Sequence, residues 1–467
     1  MSVCSDHNGV IVKLTISYNE RGPGYWKMNN ELLKNDTINT NVRHSVNEVL
    51  DNYKSKSHAF VWETIKIRIK ELAIRISIQV GKQRNHYKYE MQRELDQINN
   101  EKDITDKNTA KRKQELECKL NEIYVKETKG AQLQSKSKYI ENGEILFKYF
   151  KSLEKTHQSK NVIECLQTDS GEQICESNLI LAECSNFYRD LYKSDCIDNA
   201  KINDYLESSD LSGLSASERD MCDMDITEKE VDNAVVNLKK DKSPGYDGLS
   251  AEFYQKHWDV LKKPFMNMLR ETYGKGEMPE TMNQSVVTLI FKKGDRQVLK
   301  NYRPICLNNY DYKIVAFVLA KRIQNVIKSM IHSDQSAYIK GRYIGINARY
   351  IADFCEYCEK RDVPGIVLSL DFEKVFDRLD RHFMYKILES FNFGERFVKW
   401  IRILYKEPKI MIKNNGWISK SIITQRGIRQ GCPVSALLFI IANEVMAVNI
   451  RNNSNIKGFC IRNKERK

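Results

Sequence analysis

The residues of this chain best suited to chemistry are a carboxylate at the end of an apolar run and, further along, a glycine-flanked Arg-Gln pair. Gly365-Ile366-Val367-Leu368-Ser369-Leu370 reads as an apolar strand, and Asp371 stands at its end. A carboxylate there can hold a hard cation such as Mg2+ against a substrate phosphate. It can equally cap the helix that follows, a role that suits Asp377 and Asp380 better. In Arg426-Gly427-Ile428-Arg429-Gln430-Gly431-Cys432-Pro433, Gly431 permits a ligand close to the backbone and Pro433 opens an apolar helix. An ordinary loop-to-helix junction has the same residues. A third segment runs from Val286 through Lys292-Lys293-Gly294-Asp295 to Asn301-Tyr302-Arg303-Pro304. Its two strand-like runs flank a basic turn that can grip a triphosphate or form a solvated hairpin tip.

These residues need elements to hold them. Phe383, Ile387 and Phe391 predict a helix after Asp371, and Lys409 to Thr424 predicts a hairpin turning at Asn414-Asn415-Gly416. Upstream, Ile65, Ile69, Leu72 and Ile76 predict one long helix from Phe60 to about Asp103. Leu116, Leu120 and Ile123 mark a second helix that can pair with it in antiparallel fashion. Gly9 to Ile16 is a short β-type run. Cys165 to Cys175 suggests a small hairpin, and Leu179 to Tyr192 a helix. Lys201 to Arg219, acidic and Ser-rich, reads as a linker, and Thr227 and Glu230 form a capping box that opens the C-terminal block.

Composition sets the class. The 467 residues are 41% hydrophobic and 10% aromatic, enough for a packed core. The net charge of +13 favours a polyanionic partner, nucleic acid first. The charge is segregated: residues 161–230 hold 5 Lys/Arg against 17 Asp/Glu, and residues 281–350 hold 12 against 3. The 12 cysteines show no regular framework, which fits a reducing, intracellular setting better than a disulfide scaffold. No apolar run approaches membrane-spanning length, so the chain is expected to be soluble, with no membrane partner. Cys355 and Cys358 form a C-x-x-C without a second pair and fit an apolar helix face with Ile351 and Phe354 better than a metal site. Cys432 has no base partner and is not expected to act as a nucleophile.

Taken in order, the motifs resemble one family, the reverse transcriptases of LINE-type (non-LTR) retrotransposons. Lys242-Ser243-Pro244-Gly245-Tyr246-Asp247-Gly248-Leu249 resembles its amino-terminal motif. Lys292 and Asn301 to Ile305 resemble its fingers motifs. Asp334 to Arg342 is similar to the segment leading into the palm, Asp371 to Asp380 to palm motif A, and Arg426 to Phe439 to motif B. Ser5-Asp6-His7 is similar to the last motif of the endonuclease-like domain found upstream in such elements. The resemblance implies an α+β chain with a helical amino-terminal region, then the fingers and an incomplete palm of a right-hand polymerase. The corresponding divisions are 1–25, a remnant endonuclease tail and connector; 26–160, a basic helical linker region; 161–224, an acidic extension and linker; and 225–467, fingers and partial palm.

It also implies roles. Asp371, with the carbonyl of Phe372, would bind the catalytic Mg2+ or Mn2+. Phe376 would lie under the sugar and exclude a 2′-hydroxyl. Lys292 and Arg303 would hold the triphosphate, Gln430 and Gly431 would line the nucleotide site, and Lys293, Arg342 and Arg429 would contact nucleic acid. Asp6 and His7 would be vestigial. The implied partners are an RNA template, a DNA primer and deoxynucleoside triphosphates, in the cytoplasm or nucleus as a ribonucleoprotein. The family's second carboxylate motif, Ala-Asp-Asp, should follow motif B, but Arg462 to Lys467 stands there and no Ala-Asp-Asp occurs in the sequence. The expectation is therefore a truncated chain that binds metal weakly and is inactive as a polymerase. The alternative is a basic nucleic-acid-binding protein without catalysis, since residues 61–160 carry a net charge of +7 by count.

Overall fold

The computed structural model describes residues 20–100, 107–135, 162–168, 170–195, 197–461 and 464–466. The β-type run at Gly9 to Ile16, and Asp6 and His7, lie outside them.

Helix α1 (Asp36–Asn52) starts at Asn35, whose side chain accepts from the N–H groups of Thr37 and Ile38. The long helix expected from the 3.6-residue pattern is α2 (His58–Asn100), and the second is α3 (Lys107–Ser135). The two halves of α2 pack differently. Val61, Trp62, Ile65, Ile69 and Ala73 join the main hydrophobic core with Val42, Val46 and Val49 of α1. Further along, Met91 and Ile98 form a small separate core with Leu116 and Leu120 of α3, tied by Arg112 bonding both oxygens of Glu94 at 2.7 and 3.0 Å. Residues 26–73 are thus built into the body of the protein, and only the outer α2–α3 pair is an arm.

The join is reinforced by buried charge. Lys66 places its Nζ 2.7 Å from Asp311, 3.6 Å from Glu63 and 3.8 Å from Asp247, and Trp62 donates its indole N–H to Asp311 at 3.1 Å. Three carboxylates around one ammonium hold Lys66 protonated despite its burial, while burial pushes Asp247 up to about 7.

A hairpin, β1 (Leu166–Gln167) and β2 (Gln173–Ile174), precedes α4 (Ser177–Leu191), as expected. A disulfide joins Cys165 to Cys175 across it, which corrects the reading of the cysteines at this one pair. The linker expected over Lys201 to Arg219 is also corrected. The segment folds into α5 (Asn199–Glu207) and α6 (Ala216–Asp223), because Ile202 and Leu206 share a helical face and, with Leu214 and Cys222, enter the main core. Asp198 caps the first and a Ser215–Glu218 capping box the second. Helix α7 (Glu228–Val236) begins at the Thr227–Glu230 capping box, and Glu230 then accepts two bonds from buried Arg322, at 2.7 and 2.8 Å.

Helix α8 (Ala251–Lys275) leads to a sheet of β3 (Gln284–Phe291), β4 (Tyr302–Asn308), β5 (Lys409–Asn414), β6 (Trp417–Ile418) and β7 (Ile422–Ile423). Its order is β4-β3-β5-β6 with β7 also on β5. The β3–β4 pair is antiparallel, and β3–β5 is parallel. Helix α4 covers one face, packing Ile180, Cys184, Tyr188 and Tyr192 on Val287, Leu289, Tyr302, Cys306, Ile410 and Ile412. Asn415 and Gly416, both at positive φ, make the expected turn, against which Gly22 and Gly24 pair their N–H groups. The remaining helices are α9 (Tyr310–Met330), α10 (Gly345–Arg361), the single turn α11 (Val375–Arg378), α12 (Arg381–Ser390), α13 (Glu395–Leu404) and α14 (Ser435–Asn452). The hairpin β8 (Phe459–Ile461) and β9 (Lys464–Arg466) follows them.

One expectation fails here. Gly365 to Leu370 is not a strand, and Ile366 and Leu368 are 89% and 76% exposed. Ile351, Phe354, Cys355 and Cys358 do lie on a helix, α10, where Phe354 and Cys358 are half-buried and Ile351 and Cys355 exposed. A strand is held by a neighbour's hydrogen bonds and an apolar face by a packing partner. Among the described residues no strand pairs with residues 365–370. Among the described residues no helix is long and apolar enough to cross a membrane.

Candidate nucleotide site

The two motifs around Asp371 and Gln430 fold onto one another. After Asp371, Lys374 takes a left-handed conformation (φ 49°) and turns the chain into α11. Asp380 then caps α12, accepting from the Phe383 N–H at 2.8 Å, the capping role its spacing suggested. Gly427 and Ile428 lie along this turn and donate to the carbonyls of Leu379 (2.8 Å) and Phe376 (2.7 Å). Gly427 has φ +81°, and a Cβ there would come 2.6 Å from the Asp377 carbonyl oxygen, so only glycine fits. Buried Arg381 locks the contact, donating to the carbonyls of Gly427 (3.0 Å), Thr424 (2.6 Å) and Arg426 (3.0 Å) and to the Thr424 hydroxyl (2.6 Å).

The next residues reach the sheet. The Gln430 carbonyl accepts from the Cys306 N–H at 2.9 Å, and Gly431 (φ +100°) passes so near that a Cβ would sit 2.9 Å from the Cys306 oxygen. The backbone that Gly431 approaches is therefore β4. Arg429 is only 4% exposed. Its guanidinium donates to Ser285 (3.0 Å), to Asn308 (3.3 Å) and twice to Asn283 (3.0 and 2.7 Å), and it stacks over Tyr312. It pins the loop to β3 and β4 and turns no donor to the surface.

Half-buried Gln430 donates from Nε2 to both oxygens of Asp377, at 3.3 and 3.2 Å, and the Tyr192 hydroxyl donates to the same carboxylate at 2.8 Å. Asp377 is buried, unlike an ordinary cap. Burial pushes it up to about 6, against the pull of Tyr192, Lys374 and Gln430. Phe376 packs on Phe439 at 5.5 Å between ring centres, and Phe372 meets the same ring edge-on at 6.2 Å.

Asp371 is exposed, six residues before Asp377 in the chain. Among the described residues no three His, Cys, Asp or Glu side chains group to hold a metal ion, so they do not complete a metal site. Lys292, Lys293 and Arg303 are exposed at the β3–β4 end, with Arg303 paired across from Ile290; strand alternation puts Lys292 on the Arg303 face. Arg342 is spent differently. It donates to the carbonyls of His332 (2.6 Å), Gln335 (2.7 Å) and Ile331 (2.9 Å) and holds the loop before α10. Sequence reasoning missed Tyr192, Arg381 and the inward role of Asp377. The only signal was Tyr192 lying four residues after Tyr188, on one helical face.

The sequence profile of the family described as reverse transcriptase (RNA-dependent DNA polymerase) matches residues 290–461, from the end of β3 through both motifs. Residues 290–461 thus match the reverse transcriptase family, and the relatives that the chain is similar to are proteins of transposons and retrotransposable elements. It is 29% identical over 453 residues to a Transposon TX1 uncharacterized 149 kDa protein of Xenopus laevis, covering 94% of this chain and 34% of that protein. It is 24% identical over 216 residues to the Pol polyprotein from retrotransposable element R2DM of Drosophila melanogaster, covering 46% of this chain and 20% of that one. Over 248 residues it is 24% identical to the Pol polyprotein from element R1 of Bradysia coprophila, covering 51% and 24%. The chain thus spans about a third or less of the length of these relatives. Tyr192 and α4 lie outside the residues matched by the family profile.

Proposed function

We propose that these residues form the nucleotide- and template-facing part of an RNA-directed DNA polymerase acting on an RNA template, a DNA primer and deoxynucleoside triphosphates. The observation that carries the reading is the hydrogen-bonded contact of residues 427–428 with Phe376 and Leu379, which gathers Phe376, Gln430 and Gly431 at one place. Phe376, braced by Phe439, is suited to exclude a 2′-hydroxyl by volume. Exposed Lys292 and Arg303 are suited to the triphosphate, Arg303 through its planar fork. Lys293 extends that positive edge toward the template strand. The complete reaction is attack of a primer 3′-hydroxyl on the nucleotide α-phosphate with release of pyrophosphate, and these residues contribute binding and orientation to it.

Reverse transcriptases work with a divalent ion. Asp371 and the Phe372 carbonyl are a start on a site for Mg2+ or Mn2+, and with one carboxylate the ion is held weakly. A second carboxylate element has to be supplied for turnover, because the 467 residues contain no Ala-Asp-Asp. Primer extension by these residues alone then stays at background with either ion. Extension above background that Asp371→Asn abolishes would refute that requirement. The site itself is tested by nucleotide binding to a chain–primer–template complex. The wild type should prefer a deoxynucleotide over the matching ribonucleotide, and Phe376→Ala should erase the preference. No preference in the wild type would count against the reading.

A second mode of nucleic-acid binding is favoured by the α2–α3 arm, which exposes Lys82, Arg93, Lys111 and Lys119 beside Tyr87 and Tyr89. Cations interleaved with aromatic rings suit RNA phosphates and bases. In a cell the chain would work in the cytoplasm or nucleus with its RNA.

A further inference from the structure

The C-terminal end of α4 is tied to the loop that carries Gln430. The Leu191 carbonyl accepts from Nε of Arg426 at 2.9 Å, and the Tyr192 carbonyl accepts from the N–H groups of Gln425 (3.0 Å) and Arg426 (3.1 Å). Gln425 in turn accepts from the Ser194 N–H at 3.0 Å. Carbonyls at a helix end lack partners within the helix, so the loop completes α4 and α4 fixes the loop. Just beyond these bonds the Tyr192 hydroxyl reaches Asp377 (2.8 Å), and Gln430 spans both oxygens of that carboxylate (3.3 and 3.2 Å).

The chemistry of these three groups leaves one arrangement. An ionised carboxylate only accepts hydrogen bonds. Gln430 therefore turns its amide nitrogen inward, and its Oε1 is the atom left for a ligand. Tyr192 has to be the donor in its own bond, and burial, with Asp377 beside it, holds its hydroxyl protonated. The other ionisable neighbours are Tyr188 of α4, Cys306 of β4 and Lys374 of the turn itself.

We propose that Tyr192, acting through Asp377, is a positioning residue for the nucleotide site, because it fixes the carboxylate that decides which way round the Gln430 amide faces an incoming nucleotide. The inference rests on the reading of the Gln430–Gly431 loop as nucleotide-binding. It makes residues 162–195, which lie outside the matched family profile, part of the polymerase site. Tyr188 supplies the control. Its ring stacks on Tyr192 at 6.0 Å, but its buried hydroxyl has no hydrogen-bond partner among the described residues.

The test is titration of a complementary deoxynucleoside triphosphate into the full 467-residue chain bound to an RNA/DNA primer–template with Mg2+ or Mn2+. Tyr192→Phe should weaken nucleotide binding by about tenfold, the worth of one bond to a charged group, while primer–template affinity stays unchanged. Tyr188→Phe should change neither. Asp377→Asn, which keeps the side-chain volume and lets the Gln430 amide rotate, should weaken the nucleotide in the same way and carries the comparison if Tyr192→Phe melts early. Wild-type binding retained in full by Tyr192→Phe and Asp377→Asn overturns this inference and leaves the site reading standing. No nucleotide binding by the wild type overturns both.

Discussion

Replacing Arg381 by Met should unfasten the two motifs from each other. The guanidinium serves the carbonyls of Gly427, Thr424 and Arg426 and the Thr424 hydroxyl, with a longer bond to the Tyr405 carbonyl at 3.3 Å. Methionine fills much of the same space but donates nothing. An orphaned buried acceptor costs about 1–3 kcal/mol, and local relaxation admits water to some of them, so the net loss should be roughly 3–5 kcal/mol. Arg381→Lys keeps a charge but cannot span a fork of this width, and should recover less than half of the loss. Urea unfolding measures the cost, and amide hydrogen exchange locates it. Protection should fall first at Gly427 and Ile428, whose N–H groups bond the Phe376 and Leu379 carbonyls. An Arg381→Met variant within about 1 kcal/mol of the wild type, with those amides still protected, would refute the reasoning, because one unsatisfied carbonyl already costs that much.

Four further outcomes are expected. Asp377 is raised from 3.8 to about 6, so its contribution to stability is present below pH 3.8 and lost as pH rises through 6; at roughly 1.4 kcal/mol per unit this is up to about 3 kcal/mol. Asp377→Asn should flatten the pH dependence of urea melts across that window, and an unchanged slope would contradict the assignment. Lys66→Met should cost about 3–5 kcal/mol by stranding Asp311, with recovery on adding Asp311→Asn; equal stability of the single and double variants in denaturant titrations would count against the buried network. Gly431→Ala should destabilise by about 1–3 kcal/mol, since φ is positive and the new Cβ would press on the Cys306 carbonyl; an unshifted unfolding midpoint would contradict this. Ile366→Lys and Leu368→Lys should stay within about 0.5 kcal/mol of the wild type and reduce self-association in sedimentation, and a large loss of stability would mean that this segment is packed after all.

The sequence revealed the elements better than their partners. The long helix at Ile65 to Ile76, the capping box at Thr227 and Glu230, the turn at Asn415-Gly416 and the strands flanking Lys292 were all legible, because each is written in local spacing or local turn chemistry. Gly365 to Leu370 was misread, since alternation and β-branching say what a strand would look like and not whether a neighbour exists to hold it. Lys201 to Arg219 was misread in the other direction, as its acidic surface residues hid Ile202 and Leu206. Gln430, Gly431 and Phe376 were named from the family resemblance, and the hydrogen bonds of Ile428 to Phe376 and of Gln430 to Asp377 bring their segments together. Arg429 and Arg342 look like phosphate ligands in one dimension, yet the fold spends their donors on Asn283, Ser285 and loop carbonyls. For Tyr192 the spacing from Tyr188 marks a helical face and nothing more, since it comes within bonding distance of Asp377 through packing between segments 185 residues apart.

The central claim, that the loop carrying Gln430 and the turn carrying Phe376 form a templated nucleotide site, is tested most directly by equilibrium binding. The 467-residue chain is assembled on an RNA/DNA primer–template, and the affinities of the complementary and non-complementary deoxynucleoside triphosphates are compared. The account predicts that the complementary nucleotide binds at least about tenfold more tightly, a difference of roughly 1.4 kcal/mol. Equal affinity for all four nucleotides, or none for any, would contradict it.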